Sequence, residues 1–166
     1  MTFKESSKKK RHSLISKNLY FFLLVLALIL ISLQLGSGIW LFIAKYGITP
    51  SAIYTYFAGN EALFVMAKSF EGLMETAVPH FLAISLTIFV YAHFLLFTKI
   101  ISEKQKWWLI LGLFLSASID IFSPFAMIYG YEVFAWFKLI AFFVFEILMA
   151  GLLAVLFLVF LRAQKT

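Results

Sequence analysis

The sequence predicts an all-α integral membrane protein, a bundle of four transmembrane helices with a short amphipathic helical segment between the first two spans. Three observations predict it. Of 166 residues, 63% are hydrophobic, and mean hydropathy is +0.98, whereas soluble domains use about 45–50% apolar residues. A chain this short cannot hide that much apolar surface from water, so the excess must face lipid. Four apolar runs are each long enough to cross a bilayer, which takes about 20 helical residues. Helices pair every backbone N–H and C=O within the segment, while four short strands would not close a barrel.

Residues 1–18 form a basic tail, with Lys4, Lys8, Lys9, Lys10, Arg11 and Lys17 crowded together. Such a run can contact nucleic acid, but no nucleic-acid-binding module follows, so it reads as a topology signal instead. The first span covers about 19–44. Its apolar run is too long for a signal-peptide core, and no small-x-small cleavage site follows, so the span is expected to be retained.

Residues 45–76 form the expected outer segment. It opens with "GITPSAIYTYF", where Thr49 suits an N-cap and Pro50 the first helical turn. Gly59 breaks the chain, and Asn60 can cap a second helix, "EALFVMAKSFEGLMET". There Leu63, Met66, Ala67, Phe70 and Met74 recur at helical spacing. The pair is expected to lie on the outer membrane face or to roof the bundle.

The second span, about 77–97, carries Pro79, which fits a helix that starts near Thr76 and otherwise marks a kink. The third, about 107–128, contains "DIFSP", where Ser123 and Pro124 can break the helix. The fourth, about 133–161, is long enough to tilt. The N-terminal tail, the loop "TKIISEKQK" and the tail "RAQKT" hold eleven of the fourteen basic residues, leaving Lys45, Lys68 and Lys138. The positive-inside rule then places both termini in the cytoplasm, with a bacterial inner membrane as the expected location. Trp107 and Trp108 fall at the cytoplasmic boundary, and Trp40 and Trp136 near the outer one.

The chain has no cysteine, which excludes disulfides, thiolate ligands, Fe–S clusters and covalently attached c-type haem. It has no Gly-rich phosphate loop, no G-x-S-x-G and no H-E-x-x-H. Chemistry must therefore come from ionisable residues inside the spans: His80, His93, Asp120, Lys138 and Glu146. At about 1.5 Å of rise per residue, His80 lies roughly 12 Å to the outer side of its span's middle and His93 roughly 8 Å to the inner side. Asp120 and Glu146 fall near the midplane, and Lys138 at about the depth of His80.

Glycines share those levels. Gly36 and Gly38 come near the His80 level, and Gly112 and Gly151 near the His93 level. A glycine lets a backbone or a flat cofactor approach closely, so each histidine level offers an imidazole and a missing side chain, as a haem site requires. In this, His80 and His93 on one span of a four-helix bundle resemble the ligand arrangement of the small bacterial four-helix membrane b-type cytochromes. The resemblance implies non-covalent haem b between the helices and electron transfer with a quinone or an external carrier. The two histidines are 13 residues apart, which sets them roughly 140° apart around a straight helix. No other span supplies a histidine, so the second axial ligand would be Met127, Met149 or the same histidine of a homodimeric partner.

A second constellation competes. Asp120 and Glu146, with His93 below them, could bind a divalent transition metal ion or relay protons in a transporter, with Glu75 and His80 as an outer access site. A third reading has no cofactor: the bundle is an accessory or assembly subunit whose outer segment docks a membrane-complex partner. The plainer alternatives are histidines hydrogen-bonded to Ser85, Thr87, Ser116 or Ser118, and a carboxylate paired with Lys138.

Overall fold

The computed structural model describes the backbone of residues 3–96 and 98–163, with side chains at 22, 25–96, 98–159 and 161. The elements in order are α1 (Phe3–Tyr46), α2 (Pro50–Ala58), a 3-10 turn at Glu61–Leu63, α3 (Phe70–Leu96), α4 (Glu103–Met127) and α5 (Val133–Ala163). Among the described residues the fold is all-helical, with one isolated bridge between Asn60 and Val65. Among the described residues, four helical stretches are long and apolar enough to cross a membrane: Val25–Tyr46, Phe70–Leu96, Glu103–Met127 and Val133–Val159. These are the four expected spans. No helix break sets off the basic tail, because α1 already begins at Phe3.

The chain divides into two compact units, Met1–Ser37 and Gly38–Thr166. The first is a single length of α1. Its hydroxyls bond within the helix, Ser32 Oγ to Leu28 O at 2.8 Å and Ser37 Oγ to Gln34 O at 3.1 Å. A helix that presents polar side chains to lipid satisfies them in this way.

The second unit holds the rest of α1 and all of α2 to α5. Helices α4 and α5 form its most extensive pair, and α3 lies mainly against α4. Gly130, at φ +92°, turns the chain between α4 and α5. Helix α2 starts as expected: Thr49 Oγ1 accepts from Ala52 N at 3.3 Å, and Pro50 occupies the first turn. It ends at Gly59, whose φ of +80° favours glycine. Ile53 and Phe57 of α2 are buried in a cluster with Phe42, Leu73, Met127 and Ala135. The segment thus roofs one end of the bundle, resting on α4 and α5.

The expected second outer helix is not there. Asn60 makes no side-chain cap bond, and the helical turn that follows stops at Leu63. The reason is local hydrogen bonding. Asn60 and Val65 bond each other's backbone at 2.8 and 3.0 Å, closing a loop instead of a helix. Ser69 provides the true start, its Oγ accepting from Gly72 N at 3.1 Å. Helix α3 then runs without interruption from Phe70 through Pro79, so it begins before Thr76. Helix α4 likewise continues past Ser123 and Pro124 to Met127 instead of breaking there.

At the opposite end, Ser102 and Gln105 form a reciprocal capping box that starts α4 at Glu103. Lys106 is buried and reaches Glu103 Oε1 at 2.7 Å and Leu96 O at 3.1 Å. That second contact caps a last-turn carbonyl of α3, a group its own helix cannot pair.

Candidate functional site

A proline builds the site. Residue 124 has no N–H, so the helical bond that Pro124 would give to the carbonyl four residues earlier is missing. That carbonyl belongs to Asp120. Lys138, on α5, supplies the donor: its Nζ lies 3.1 Å from Asp120 O and 2.7 Å from Asp120 Oδ1. One ammonium thus neutralises the carboxylate and satisfies the orphaned carbonyl. Ser123 steadies the same turn by donating to Ile119 O.

Lys138 is only 5% exposed. Three aromatic rings cover it, with their centroids 5.9 Å (Phe42), 5.4 Å (Tyr46) and 5.6 Å (Phe57) from Nζ. Ring faces attract a cation, more strongly where water is excluded. Phe42 is held by stacking on Phe142, centroids 3.9 Å apart. Helices α1, α2, α4 and α5 therefore all contribute to the surroundings of one ammonium.

Glu146 follows on α5, about 12 Å further along the axis. It is buried, and its Oε2 has no hydrogen-bond partner among the described residues. The other oxygen, Oε1, lies 3.0 Å from where a Cβ on Gly38 would be. The missing side chain at Gly38 is what lets α1 pass this carboxyl so closely.

The other candidates lie elsewhere. His80 and His93 are both exposed on α3. The His80 ring places Nδ1 2.8 Å from Thr76 O, which accepts, and the His93 ring sits 6.4 Å from that of Phe94. Gly38 faces Glu146, and a Cβ on Gly112 would meet Leu148 at 3.0 Å, so neither glycine makes room beside a histidine. A Cβ on Gly151 would meet nothing within 4 Å, and Gly36 belongs to the first unit. Met127 and Met149 are buried as packing residues, Met127 inside the cluster under α2. Glu75 is exposed. Among the described residues, no group of three or more histidines and carboxylates could hold a metal ion. Asp120, Glu146 and His93 thus do not converge as a metal centre. Thr87, Ser116 and Ser118 bond carbonyls of their own helices at 2.7–2.8 Å.

Of the two intramembrane carboxyls, Asp120 and not Glu146 pairs with the Lys138 ammonium. The rings of Phe42, Tyr46 and Phe57 give no sign of this role in a sequence so rich in phenylalanine. The usable signal is the four-residue spacing from Asp120 to Pro124, which marks a carbonyl in need of a donor.

No curated protein and no solved structure matches the chain. One family profile, described as a transmembrane helical domain, matches residues 47–166. That stretch takes in α2 to α5 with Asp120, Lys138 and Glu146 and exceeds half of the 166 residues, so the chain belongs to the Aq_1264_TM family of transmembrane helical domains.

Proposed function

We propose that this integral membrane protein moves protons across the bilayer through the Asp120–Lys138–Glu146 centre. The observation that carries the reading is the ion pair between buried Lys138 and half-buried Asp120 at 2.7 Å, made between two packed membrane-spanning helices. Charges inside a span are costly and mark ion pathways and proton relays. Glu146 adds a buried carboxyl oxygen without a partner among the described residues, a position where a proton can be taken up or handed on. Protonating Asp120 removes the charge that holds Lys138, so the centre has two states that differ in the hold of α4 on α5. In this reading both termini are cytoplasmic, supported by the eleven basic residues at that end.

The test is proton flux into proteoliposomes containing a trapped pH-sensitive dye, under an imposed potential. Wild-type protein should carry flux, and Asp120→Asn and Glu146→Gln should each lower it at least about tenfold, the scale on which relay groups act. If both variants match wild type, or wild type matches empty liposomes, the reading fails and the ion pair is only a clamp between helices.

A second reading, haem b at His80 with electron exchange to a quinone, draws support from one contact. With Nδ1–H donated to Thr76 O, Nε2 keeps its lone pair, the usual state of an iron-ligating imidazole. Exposure of His80 means that the other axial ligand would come from a second copy. A Soret band in protein purified with haem supplied, lost in His80→Ala, is the expected result. A colourless preparation excludes it.

A further inference from the structure

The loop between α2 and α3 displays apolar side chains on a rigid frame. Leu63, Phe64 and Met66 are 63%, 95% and 87% exposed. The frame has five backbone bonds: the two between Asn60 and Val65, Leu63 N to Asn60 O and Phe64 N to Glu61 O, each at 3.1 Å, and Lys68 N to Phe57 O at 2.9 Å. Phe64 sits in the left-handed region, at φ 55° and ψ 30°, where bulky residues are outliers. Gly59 is required as well, since a Cβ there would lie 2.6 Å from Ala67 N. A strained, hydrogen-bonded loop that exposes three large apolar side chains is organised for contact.

Its depth identifies the contact. The Lys68–Phe57 bond ties the loop to Phe57, whose side chain packs with Met127 and Ala135 where α4 ends and α5 begins. Tyr129, Tyr131 and Trp136 are exposed at that same end of the helix pair. Exposed Tyr and Trp at the ends of spans mark the membrane–water boundary. The loop is therefore moored at interface depth, and its other end continues directly into the span α3. Exposed Glu61, Lys68 and Glu71 flank the apolar tip, the pairing of polar shoulder and apolar face that interfacial segments have.

We propose that Leu63, Phe64 and Met66 insert into the headgroup–acyl boundary of the leaflet on the α2 side. The inserted tip anchors α2, and with it the Phe57 ring over Lys138, to the bilayer. This inference does not depend on proton movement.

The chain contains no cysteine, so Phe64→Cys creates a unique site for an environment-sensitive NBD label. In phosphatidylcholine–phosphatidylglycerol liposomes, the label should emit blue-shifted light. It should be quenched by lipid nitroxides placed high on the acyl chain, and several-fold less by aqueous iodide than a label at Glu61→Cys. Met66→Cys repeats the measurement should the first variant not fold. Water-like emission with strong iodide quenching overturns the proposal. So does a blue shift without lipid quenching, which would mean the tip is buried against protein, such as a second copy.

Discussion

Lys138 donates to the backbone carbonyl that Pro124 leaves without its helical partner, Asp120 O, at 3.1 Å. The proline and the lysine are therefore energetically linked although they sit on different helices. Lys138→Met should destabilise the protein by about 3 kcal/mol, because it strands a mostly buried carboxylate. In a Pro124→Ala background the restored N–H satisfies the carbonyl, and the same change should cost less, with a coupling of about 0.5–3 kcal/mol. Unfolding in mild detergent of the two single variants and the double variant measures this. Additive effects would mean that the carbonyl contact contributes nothing.

Gly38→Ala should push the Glu146 carboxyl out of place, since the new Cβ would sit 3.0 Å from Oε1. Overpacking against a neighbour that cannot move costs about 1–3 kcal/mol, but Oε1 ends a flexible side chain, so the cost here should stay below about 1 kcal/mol. Shortening Glu146 to Ala should relieve most of it. Melting temperatures of the single and double variants report the rescue, which an effect confined to α1 would not show.

Gly59→Ala combines a φ of +80° with backbone atoms at 2.6 and 2.8 Å. Nothing flexible can yield, so a loss of more than about 1 kcal/mol is expected. Hydrogen exchange at Asn60, Val65 and Lys68 should accelerate in that variant, because their bonds form the loop that Gly59 closes.

Lys106 and Glu103 form an ion pair at 2.7 Å, but the Glu103 side chain is 83% exposed. Glu103→Gln should therefore change stability by less than about 1 kcal/mol. Lys106→Met should cost more, since it also removes the donor to Leu96 O, and its effect should survive high salt. Equal effects for the two variants would reduce Lys106 to a surface ion-pair partner.

The four spans were legible because lipid imposes length and hydropathy directly on the chain. The start of α2 was legible too, since Thr49, Pro50 and Gly59 each act within a few residues. The loop after it was not. Helical spacing from Leu63 to Met74 suggested a second helix, yet all five residues of that stripe are exposed, and the buried residue of the stretch, Leu73, lies outside it. In the site, Asp120, Lys138 and Glu146 stood out as charges in oil, but their pairing did not. Counting residues gives depth along a helix and nothing about which way a side chain faces. Gly38 shows the difference: it was matched by level to His80, and it faces Glu146.

The short turn between α4 and α5 has a consequence for how the protein is made. A lone lysine opposes entry of its helix into the bilayer, by about 3 kcal/mol at the centre of a span and by less towards its end, where Lys138 sits. Asp120 precedes Lys138 by only 18 residues, so both emerge from the ribosome within one helical hairpin. The lysine of that hairpin can therefore enter the bilayer with its counter-charge already aboard, whatever contacts α5 later makes with the helices synthesised before it.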